Sequence, residues 1–256
     1  MTKIISIHQP AYIPWLGYFH KMSVADIFVI LNTVQFEKNS FINRNRILQP
    51  DGREMWLTIP ALTKADSKQQ ISKVLVDERV NWLDKHLRSI SLCYSKSPYW
   101  DKPEHGHAMR EMFRLMRVFD WKDLDANLEF SSVYLGKMLG IDSEIKKSSA
   151  YDPPLIGTKS DLVLEICQRE KADIYFSGTL GKGYLEEKKF EKAGIKIAYQ
   201  DYQHPAYGQH QLKTSGEFHA HMSVVDLALN HGPRSLEILT ENNVGKKEMK
   251  SGKNQS

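Results

Sequence analysis

The N-terminal segment alternates apolar and polar stretches in the order strand, helix, strand. Residues 4–7 form a short apolar run that stops at a polar, proline-containing loop, which indicates a buried strand. Regularly spaced apolar positions over residues 15–25 predict a short helix, and residues 26–31 predict a second buried strand. We expect the two strands to lie parallel, because a right-handed helical crossover joins strands of a βαβ unit.

The middle of the chain combines a polar stretch with amphipathic patterns. Residues 35–53 are polar and basic and predict a loop, whereas residues 56–59 and 71–76 predict two further strands. Apolar faces at helical spacing predict three helices, over residues 79–94, 104–118 and 125–139. We expect these helices to form a helical subdomain over about residues 79–150.

The C-terminal half alternates helices with short buried strands. The predicted elements are a helix over residues 159–171, a strand over 173–176, a loop over 177–183, a helix over about 184–193, a strand over 195–199 and a helix over 223–231. Together the patterns predict an α/β fold, in which a mostly parallel, Rossmann-like sheet has flanking helices and a helical insertion in its middle. We expect one α/β domain over residues 1–244.

Composition and charge exclude several classes of protein. Hydrophobic residues make up 41% and charged residues 26% of the 256 residues, which excludes a disordered chain, a collagen-like chain and a disulfide scaffold. The net charge is +4, but residues 245–256 hold four lysines against one glutamate, so they supply +3 and leave +1 for residues 1–244. We therefore expect a disordered basic tail over residues 245–256 and no nucleic-acid-binding face.

The two cysteines and the hydropathy pattern indicate in which compartment of the cell the protein is expected. Cys93 and Cys167 lie in apolar helical contexts, which favours buried structural thiols and excludes a CxxC site. No apolar run reaches the roughly 18 residues that a membrane helix needs. We expect a cytoplasmic protein without a membrane span.

The loop after the first predicted strand is the first candidate binding site. It carries His8, Gln9, Tyr12, Trp15 and Tyr18 within one short segment. In open α/β sheets, ligands bind beyond the carboxyl ends of the strands, and this loop leaves its strand at that end. The alternative is that the aromatic residues cap the core and that the prolines only shape a turn.

The segment after the second predicted strand is the second candidate. Gln35, Asn43, Arg44, Asn45 and Arg46 supply hydrogen-bond donors suited to phosphate or carboxylate groups. We expect these residues on a loop beside the first one. The alternative is a solvated basic loop, which is what most clusters of charge are.

A glycine-rich segment between a predicted strand and a predicted helix is the third candidate. Ser177, Gly178, Thr179 and Lys182 resemble the anion-binding cradles found at helix N-termini. The eight-residue pattern of a Walker A loop is absent, and a plain glycine-rich turn is an equal alternative.

Two His-x-His pairs raise the question of a metal site. They are formed by His105 with His107 and by His219 with His221. Residues two apart on a helix point to different faces, and neither pair has a carboxylate or cysteine partner at zinc-site spacing. We predict no metal site.

Several motifs together resemble one protein family. They are HQPAYIPWLGYFHKM, ADIFVILNTVQF, NRNRI, WLTIP, the W-x-x-KH of Trp82 and His86, YFSG, and S-x-x-D-L-x-x-N-x-G over residues 223–232. This set is similar to the WbqC-like protein family and covers nearly the whole chain. The resemblance implies a bacterial protein linked to O-antigen and other surface polysaccharides. Some members are named glycine transferases, which implies attachment of glycine or a similar acyl group to an amino sugar.

A more distant resemblance concerns the HIGH-type nucleotidyltransferases and implies a HUP-like fold. The pattern looks most like pantothenate synthetase, which activates a carboxylate as an acyl-adenylate and passes it to an amine. Trp15 and Tyr18 stand where that class has the two histidines that stabilise the phosphates. Either His8 and His20 or the arginines compensate, or the fold is shared and ATP is not used.

Both resemblances imply amide formation from an activated carboxylate. In this hypothesis Arg44 and Arg46 bind the anionic part of a donor or nucleotide sugar, Gln35 and Asn43 orient the acceptor, and His8 is the base, because its ordinary pKa lies nearest neutrality. The acceptor would be a nucleotide-linked amino sugar. The donor stays open between ATP with an amino acid, an acyl-CoA and an aminoacyl-tRNA. The competing hypothesis is a non-catalytic sugar-nucleotide-binding protein of polysaccharide assembly.

Overall fold

The apolar runs and helical patterns become nine strands and nine α-helices in the computed structural model, which describes residues 2–63, 68–212 and 217–251. The strands are β1 (Ile4–His8), β2 (Ile27–Ile30), β3 (Arg44–Leu48), β4 (Glu54–Thr58), β5 (Ala61–Leu62), β6 (Leu75–Val76), β7 (Glu144–Lys147), β8 (Ile174–Ser177) and β9 (Lys196–Tyr199). The helices are α1 (Leu16–Val24), α2 (Trp82–Tyr94), α3 (Ala108–Phe119), α4 (Leu124–Met138), α5 (Lys159–Arg169), α6 (Glu187–Lys192), α7 (Val224–His231), α8 (Ser235–Thr240) and α9 (Lys246–Ser251). Within the described ranges, no helix combines the length and the apolar character that a membrane crossing requires.

Five strands form one parallel sheet in the order β7-β2-β1-β8-β9. This confirms the predicted α/β fold, with a parallel Rossmann-like sheet and flanking helices. The chain first extends the sheet from β1 to β2 and β7, then returns to the other side of β1 to add β8 and β9. The strand order therefore reverses between β1 and β8, which is where open α/β sheets bind their ligands. We refer to the carboxyl edge of the sheet at this point, between His8 and Ser177, as the crevice.

The central strands bury both of their faces. Ile5 and Ile7 of β1 pack with Ile166 of α5 on one side of the sheet. Phe28 and Ile30 of β2 belong to the larger core on the other side, together with α1 and the helices of the insertion. Burial on both faces explains why these strands read as continuous apolar runs rather than alternating ones.

The helical insertion consists of α2, α3 and α4, and it ends earlier than the predicted limit of residue 150. Its last predicted residues include Glu144–Lys147, which form β7 and pair with β2 at the edge of the sheet. The sequence of β7 is EIKK. Charged residues are common on edge strands, which must stay solvated, and they leave no apolar run to recognise.

Two small antiparallel sheets differ from the sequence prediction. The predicted loop over residues 35–53 contains β3, which pairs with β4 as a hairpin. The strand predicted over residues 71–76 is wrong at its start, because Ile71–Lys73 is a 3₁₀ turn and only β6 pairs, with β5. The sequence RNRIL of β3 looks like a loop because its first three residues are polar, although Asn45 among them is fully buried.

The end of the chain folds back onto the sheet. The disordered tail predicted over residues 245–256 is wrong for the part that forms α9. Met249 of α9 is buried among apolar residues of β1 and β8, and the Lys250 ammonium lies 2.8 Å from the Asp26 carboxylate. Residues 252–256 lie outside the described residues.

The loop between β1 and α1 is held in a strained conformation. Ile13 has a φ of 35°, a left-handed value that is rare for a β-branched residue and costs about 1–3 kcal/mol. Its carbonyl accepts hydrogen bonds from Asn45 Nδ2 at 2.9 Å and from Ser223 Oγ at 2.7 Å. The next carbonyl, of Pro14, accepts the Val224 amide at 2.9 Å. The hairpin strand β3 and the start of α7 thus fix the loop.

We expect Asn45→Ala and Ser223→Ala each to lower the free energy of unfolding by about 1–3 kcal/mol, because each leaves the strained Ile13 carbonyl with one buried donor fewer. The two losses should not add, since both donors share one acceptor. Urea unfolding followed by circular dichroism measures this. Ser95→Ala, at an exposed position, is the control and should change stability by less than about 0.5 kcal/mol. Losses no larger than that of the control would contradict the role given to these donors.

Candidate functional site

The crevice between β1 and β8 gathers three strand ends and the start of α1. β1 ends at His8, and β8 ends at Ser177, which Gly178 follows. Gln200 lies just after β9. Its backbone N–H donates to the Ser177 carbonyl at 2.8 Å, and its side-chain Nε2 donates to the Gly17 carbonyl at 2.9 Å. These contacts place two of the three predicted candidate segments against each other at one edge of the sheet.

His8 is a neutral imidazole at this edge. Its Nδ1 lies 2.8 Å from the Gln9 carbonyl, and a carbonyl can only accept, so Nδ1 carries the proton and Nε2 keeps its lone pair. Burial of most of the ring, with a smaller contribution from the Lys21 charge, lowers the pKa of His8 to about 3. The ring can therefore accept a proton at Nε2, but it is a weak base in the ligand-free protein.

An aromatic wall, made of Trp15, Phe41 and Trp56, runs from His8 to the β3–β4 hairpin. The Trp15 ring centroid lies 5.4 Å from that of His8 and 5.7 Å from that of Phe41, which lies 5.7 Å from that of Trp56. Phe41 and Trp56 are each 42% exposed. Exposed neighbouring aromatic rings offer flat apolar surface on which a sugar or a base can stack.

The two predicted arginines sit beside this wall, but on β3 rather than on a loop. The guanidinium carbons of Arg44 and Arg46 lie 4.3 Å and 5.4 Å from the Trp56 ring centroid. Arg46 pairs with the Glu54 carboxylate at 2.7 Å and donates to the His221 carbonyl at 3.3 Å. Within the described ranges, no ion pair includes Arg44, so its charge is available to an anion.

Lys21 is a buried cation at the crevice that the sequence patterns did not single out. Its side chain is 3% exposed, and Nζ donates to the Ile7 carbonyl at 2.9 Å. Burial lowers the pKa of Lys21 to about 7. The only signal in the sequence is a lysine inside an otherwise apolar helical face, and such a lysine usually reaches solvent at the helix surface.

The glycine-rich segment forms a turn rather than the predicted helix start. Thr179–Gly183 is a 3₁₀ turn, and α6 begins only at residue 187. Thr179 Oγ1 donates to the Gln200 carbonyl at 3.0 Å, and Ser177 is buried below it. Lys182 is exposed, with Nζ 5.4 Å from the Tyr199 ring centroid. The cradle predicted at a helix N-terminus is therefore absent from α6.

Three predicted ligand-binding residues lie inside the core instead of on the site surface. Tyr12 and Tyr18 are fully buried, and Tyr12 donates its hydroxyl to His86 Nδ1 at 2.9 Å. Asn43 is buried and donates Nδ2 to the Ile59 carbonyl at 2.8 Å. For Tyr12 and Tyr18 this is the core-capping role that the sequence left as the alternative, whereas the burial of Asn43 matches neither the predicted site nor the alternative of a solvated loop.

The two predicted glutamines lie at the rim. Gln9 is partly exposed next to His8, and its carbonyl takes part in the hydrogen bond described above. Gln35 is exposed and forms an isolated antiparallel bridge with Gln70. Gln9 is thus the glutamine placed directly beside the crevice.

A buried polar network fixes the ends of β2 and β7. Asn32, the residue after the second apolar strand segment, donates Nδ2 to Asp125 at 2.8 Å and to Ser149 Oγ at 2.9 Å. Its Oδ1 accepts from Ser148 Oγ and from the Ser149 amide, each at 3.0 Å. All the capacity of this amide is used within the protein, so Asn32 positions the edge of the sheet.

His20 and His204 make hydrogen bonds within the protein. His20 accepts Gln200 Nε2 at Nδ1, at 2.8 Å, and donates Nε2 to the Val244 carbonyl at 3.0 Å. It therefore does not face the crevice as a free group. His204 accepts the His221 amide at 3.1 Å. Among the described residues, no group of three or more histidine, cysteine or acidic side chains is arranged for a metal ion.

Comparisons with known proteins agree with the motif pattern. The model of a family described as the WbqC-like protein family matches residues 9–238. A relative from Mycobacterium tuberculosis, described as uncharacterized protein Rv1507c, is 28% identical over 243 residues, which cover 93% of this chain and 97% of the relative. No solved structure matches the chain significantly.

We expect His8 and His86 to stay neutral well below pH 6.5. Burial lowers their pKa values to about 3 and about 4, so the folded protein binds fewer protons than the unfolded chain between pH 6.5 and 4. The unfolding free energy should therefore fall as the pH drops below 6.5, by up to about 1.4 kcal/mol per pH unit for each histidine.

Histidine NMR titration, with His8→Gln used to assign the His8 signals, measures this directly. The same chain unfolded in urea is the control and should titrate near pH 6.5. A midpoint between pH 6 and 7 for His8 in the folded protein would show the prediction to be wrong.

Proposed function

The chain belongs to the WbqC-like protein family, and we propose that it transfers glycine or a similar acyl group to the amine of a nucleotide-linked amino sugar in surface-polysaccharide biosynthesis. The observation that carries the proposal is the exposed aromatic wall, which leads from the Arg44 guanidinium to His8 at the carboxyl edge of the sheet. A sugar nucleotide combines phosphate charge, flat rings and sugar faces, and these are what cations and aromatic surfaces bind.

In this proposal the β3–β4 hairpin and the neighbouring Phe41 bind the sugar nucleotide. Arg44 and Arg46 take the anionic part of the ligand, and Trp56 and Phe41 stack against a sugar or base. Arg46 is already oriented by Glu54, whereas Arg44 stacks on Trp56 alone. Arg44 is thus the stronger candidate for a charge-assisted hydrogen bond to the ligand.

The chemical step needs an activated carboxyl group and a proton acceptor. The amine nitrogen attacks the carbonyl carbon and a C–N bond forms. The bond from that carbon to the donor breaks, and the leaving group departs with the electron pair on a phosphate oxygen, a thiolate sulfur or an ester oxygen. The proton released by the amine goes to His8 Nε2, which holds a free lone pair. Because the pKa of His8 is low in the free protein, a nearby anionic group of the donor must raise it in the complex.

That low pKa is also the observation that favours a second function. A site with cations and aromatic surface but a weak base suits a sugar-nucleotide-binding protein of polysaccharide assembly that performs no reaction. The two functions differ in turnover and agree on binding. ATP with glycine, acyl-CoA and glycyl-tRNA are the donors to be compared.

We expect Arg44→Met and Trp56→Ala each to weaken the binding of UDP- or dTDP-linked amino sugars by about 10- to 100-fold. Each change removes either a charge-assisted hydrogen bond or a stacking surface, worth about 1.5–3 and about 1–3 kcal/mol. Thermal shift identifies the nucleotide, and isothermal titration calorimetry measures the affinity.

Arg53→Met is the matched control for that experiment. Arg53 belongs to the same hairpin segment but is exposed and paired with Asp51. Binding should be unchanged in this variant. If Arg44→Met and Arg53→Met bind alike, the hairpin is not the binding surface.

We expect His8→Gln to lower acyl transfer by about 10²–10⁴-fold while the affinity for the sugar nucleotide changes little, because a general base contributes about that much to the rate. The measurement is mass-spectrometric detection of the amide product with each of the three donors. Product formation at the wild-type rate by His8→Gln would remove His8 from the reaction. Binding without product from any donor in the wild-type protein would favour the binding function.

A further inference from the structure

The Lys21 ammonium lies where the strand order of the sheet reverses. Lys21 is on the last turn of α1, and its Nζ donates to the carbonyl of Ile7, which is next to the last residue of β1. On the β8 side, a Cβ atom built on Gly178 would lie 3.8 Å from that Nζ. The amine therefore lies between the two strand ends that form the crevice.

Lys21 lacks the counter-ion that a buried lysine normally requires. Among the described residues, none of the ion pairs includes Lys21, and its one hydrogen bond goes to the Ile7 carbonyl. An ammonium group has three donors, so two are left for another partner. A buried charge is costly unless it is paired, so an ammonium group at this position favours a partner from outside the chain.

We propose that Lys21, next to Gly178, which has no side chain, forms an oxyanion-binding subsite that takes a phosphate or carboxylate group between β1 and β8. The inference rests on the proposed function in one respect, which is that the ligand of the protein enters this crevice. It adds a cation to the site that is separate from the arginines of the hairpin. Phosphate and carboxylate share the chemistry that an ammonium recognises, and the experiment separates them.

The groups that face Lys21 are compatible with an anion. His8 on β1 and His20 on α1 interact electrostatically with the Lys21 charge, and burial lowers the pKa of both, so neither adds a second full charge near neutral pH. On the β8 side the neighbouring residues, Ser177 and Gly178, carry no charge. With a pKa of about 7, the Lys21 amine is partly neutral in the free protein and should take up a proton when an anion binds.

Two substitutions test the subsite by different means. Lys21→Met keeps an unbranched side chain that is one atom shorter and removes the charged amine. Gly178→Ala keeps the lysine and fills the space beside it, and its backbone, with φ −71° and ψ 163°, accepts an alanine. Because nothing lies closer than 3.8 Å to the new Cβ, the fold should tolerate this change.

The full-length protein is titrated at pH 8 with inorganic phosphate and, separately, with acetate, in calorimetry buffers of different ionisation heat. We expect the wild-type protein to bind at least one of these anions and to take up close to one proton. Both variants should bind at least about tenfold more weakly, and Lys21→Met should show no proton uptake. Lys188→Met, an exposed lysine of α6, is the control and should behave like the wild-type protein.

The outcomes separate this inference from the proposed function. Binding of phosphate, of acetate or of both, weakened in both variants, supports the subsite and identifies its chemistry. Wild-type affinity in both variants, or no binding of either anion by the wild-type protein, overturns it. If Lys21→Met fails to fold in a urea titration, Gly178→Ala alone decides. Failure to find an amide product would leave these binding results unaffected.

Discussion

The carbonyl of Ile13 is the point on which the geometry of the site depends. A β-branched residue at positive φ is unfavourable on its own, and it persists here because Asn45 and Ser223 both donate to that carbonyl. The loop so held begins after His8 and ends at Trp15. Asn45 in turn lies between Arg44 and Arg46 on β3, and side chains alternate along a strand. When Asn45 points inward to the loop, the two arginines point outward to Trp56. The inward hydrogen bond of Asn45 therefore fixes both the loop that follows His8 and the outward direction of Arg44 and Arg46.

A second buried network fixes β3 at its other end. Tyr94 accepts the Leu48 amide at 3.0 Å and donates its hydroxyl to the Asp226 carboxylate at 2.9 Å. Asp226 is fully buried on α7, and it also accepts hydrogen bonds from Tyr207 and Gln209. Burial of the carboxylate raises the pKa of Asp226, which the three donors oppose. Because buried polar groups are tolerable only when all are satisfied, this network ties the hairpin, α2 and α7 into one arrangement.

The parts of the structure that the sequence predicts well are those that a local pattern encodes. β1 and β2 follow from apolar runs buried on both faces, and α1, α5 and α7 follow from apolar positions at helical spacing. The sequence pattern does not predict β7, because an edge strand of sequence EIKK has no apolar run. It does not predict the helix α9, because only Met249 of its residues is buried. The start of the segment 71–76 misleads in the other direction, because Ile71–Lys73 forms a 3₁₀ turn and only Leu75 and Val76 form a strand.

The site shows the same division. The sequence indicates the strand ends and the arginines, because loops at the carboxyl edge follow from the fold. It cannot show that Tyr12 turns inward to His86 whereas Trp15 turns outward to Phe41, since both are aromatic residues of one loop. Nor can it show that Lys21 is buried, because that depends on how α1 packs on β1 and on the absence of a side chain at Gly178. These facts depend on contacts between residues distant in the chain.

Charge at the site is arranged independently of the net charge of the chain. The lysines of α9 that raise the total to +4 include Lys246 and Lys250, and both pair with Asp26. The two cations that we propose to contact a ligand lie on separate elements, Arg44 on the hairpin and Lys21 at the crevice. Between them lies the aromatic wall, with a neutral His8 at its inner end. Such a surface suits an elongated ligand with flat or apolar faces and negatively charged groups, and it offers little to an uncharged one. Burial is the main cause of the low pKa of His8, and the Lys21 charge lowers it further. An anion bound at Lys21 would offset that second contribution, so anion binding at the crevice and the basicity of His8 are coupled electrostatically.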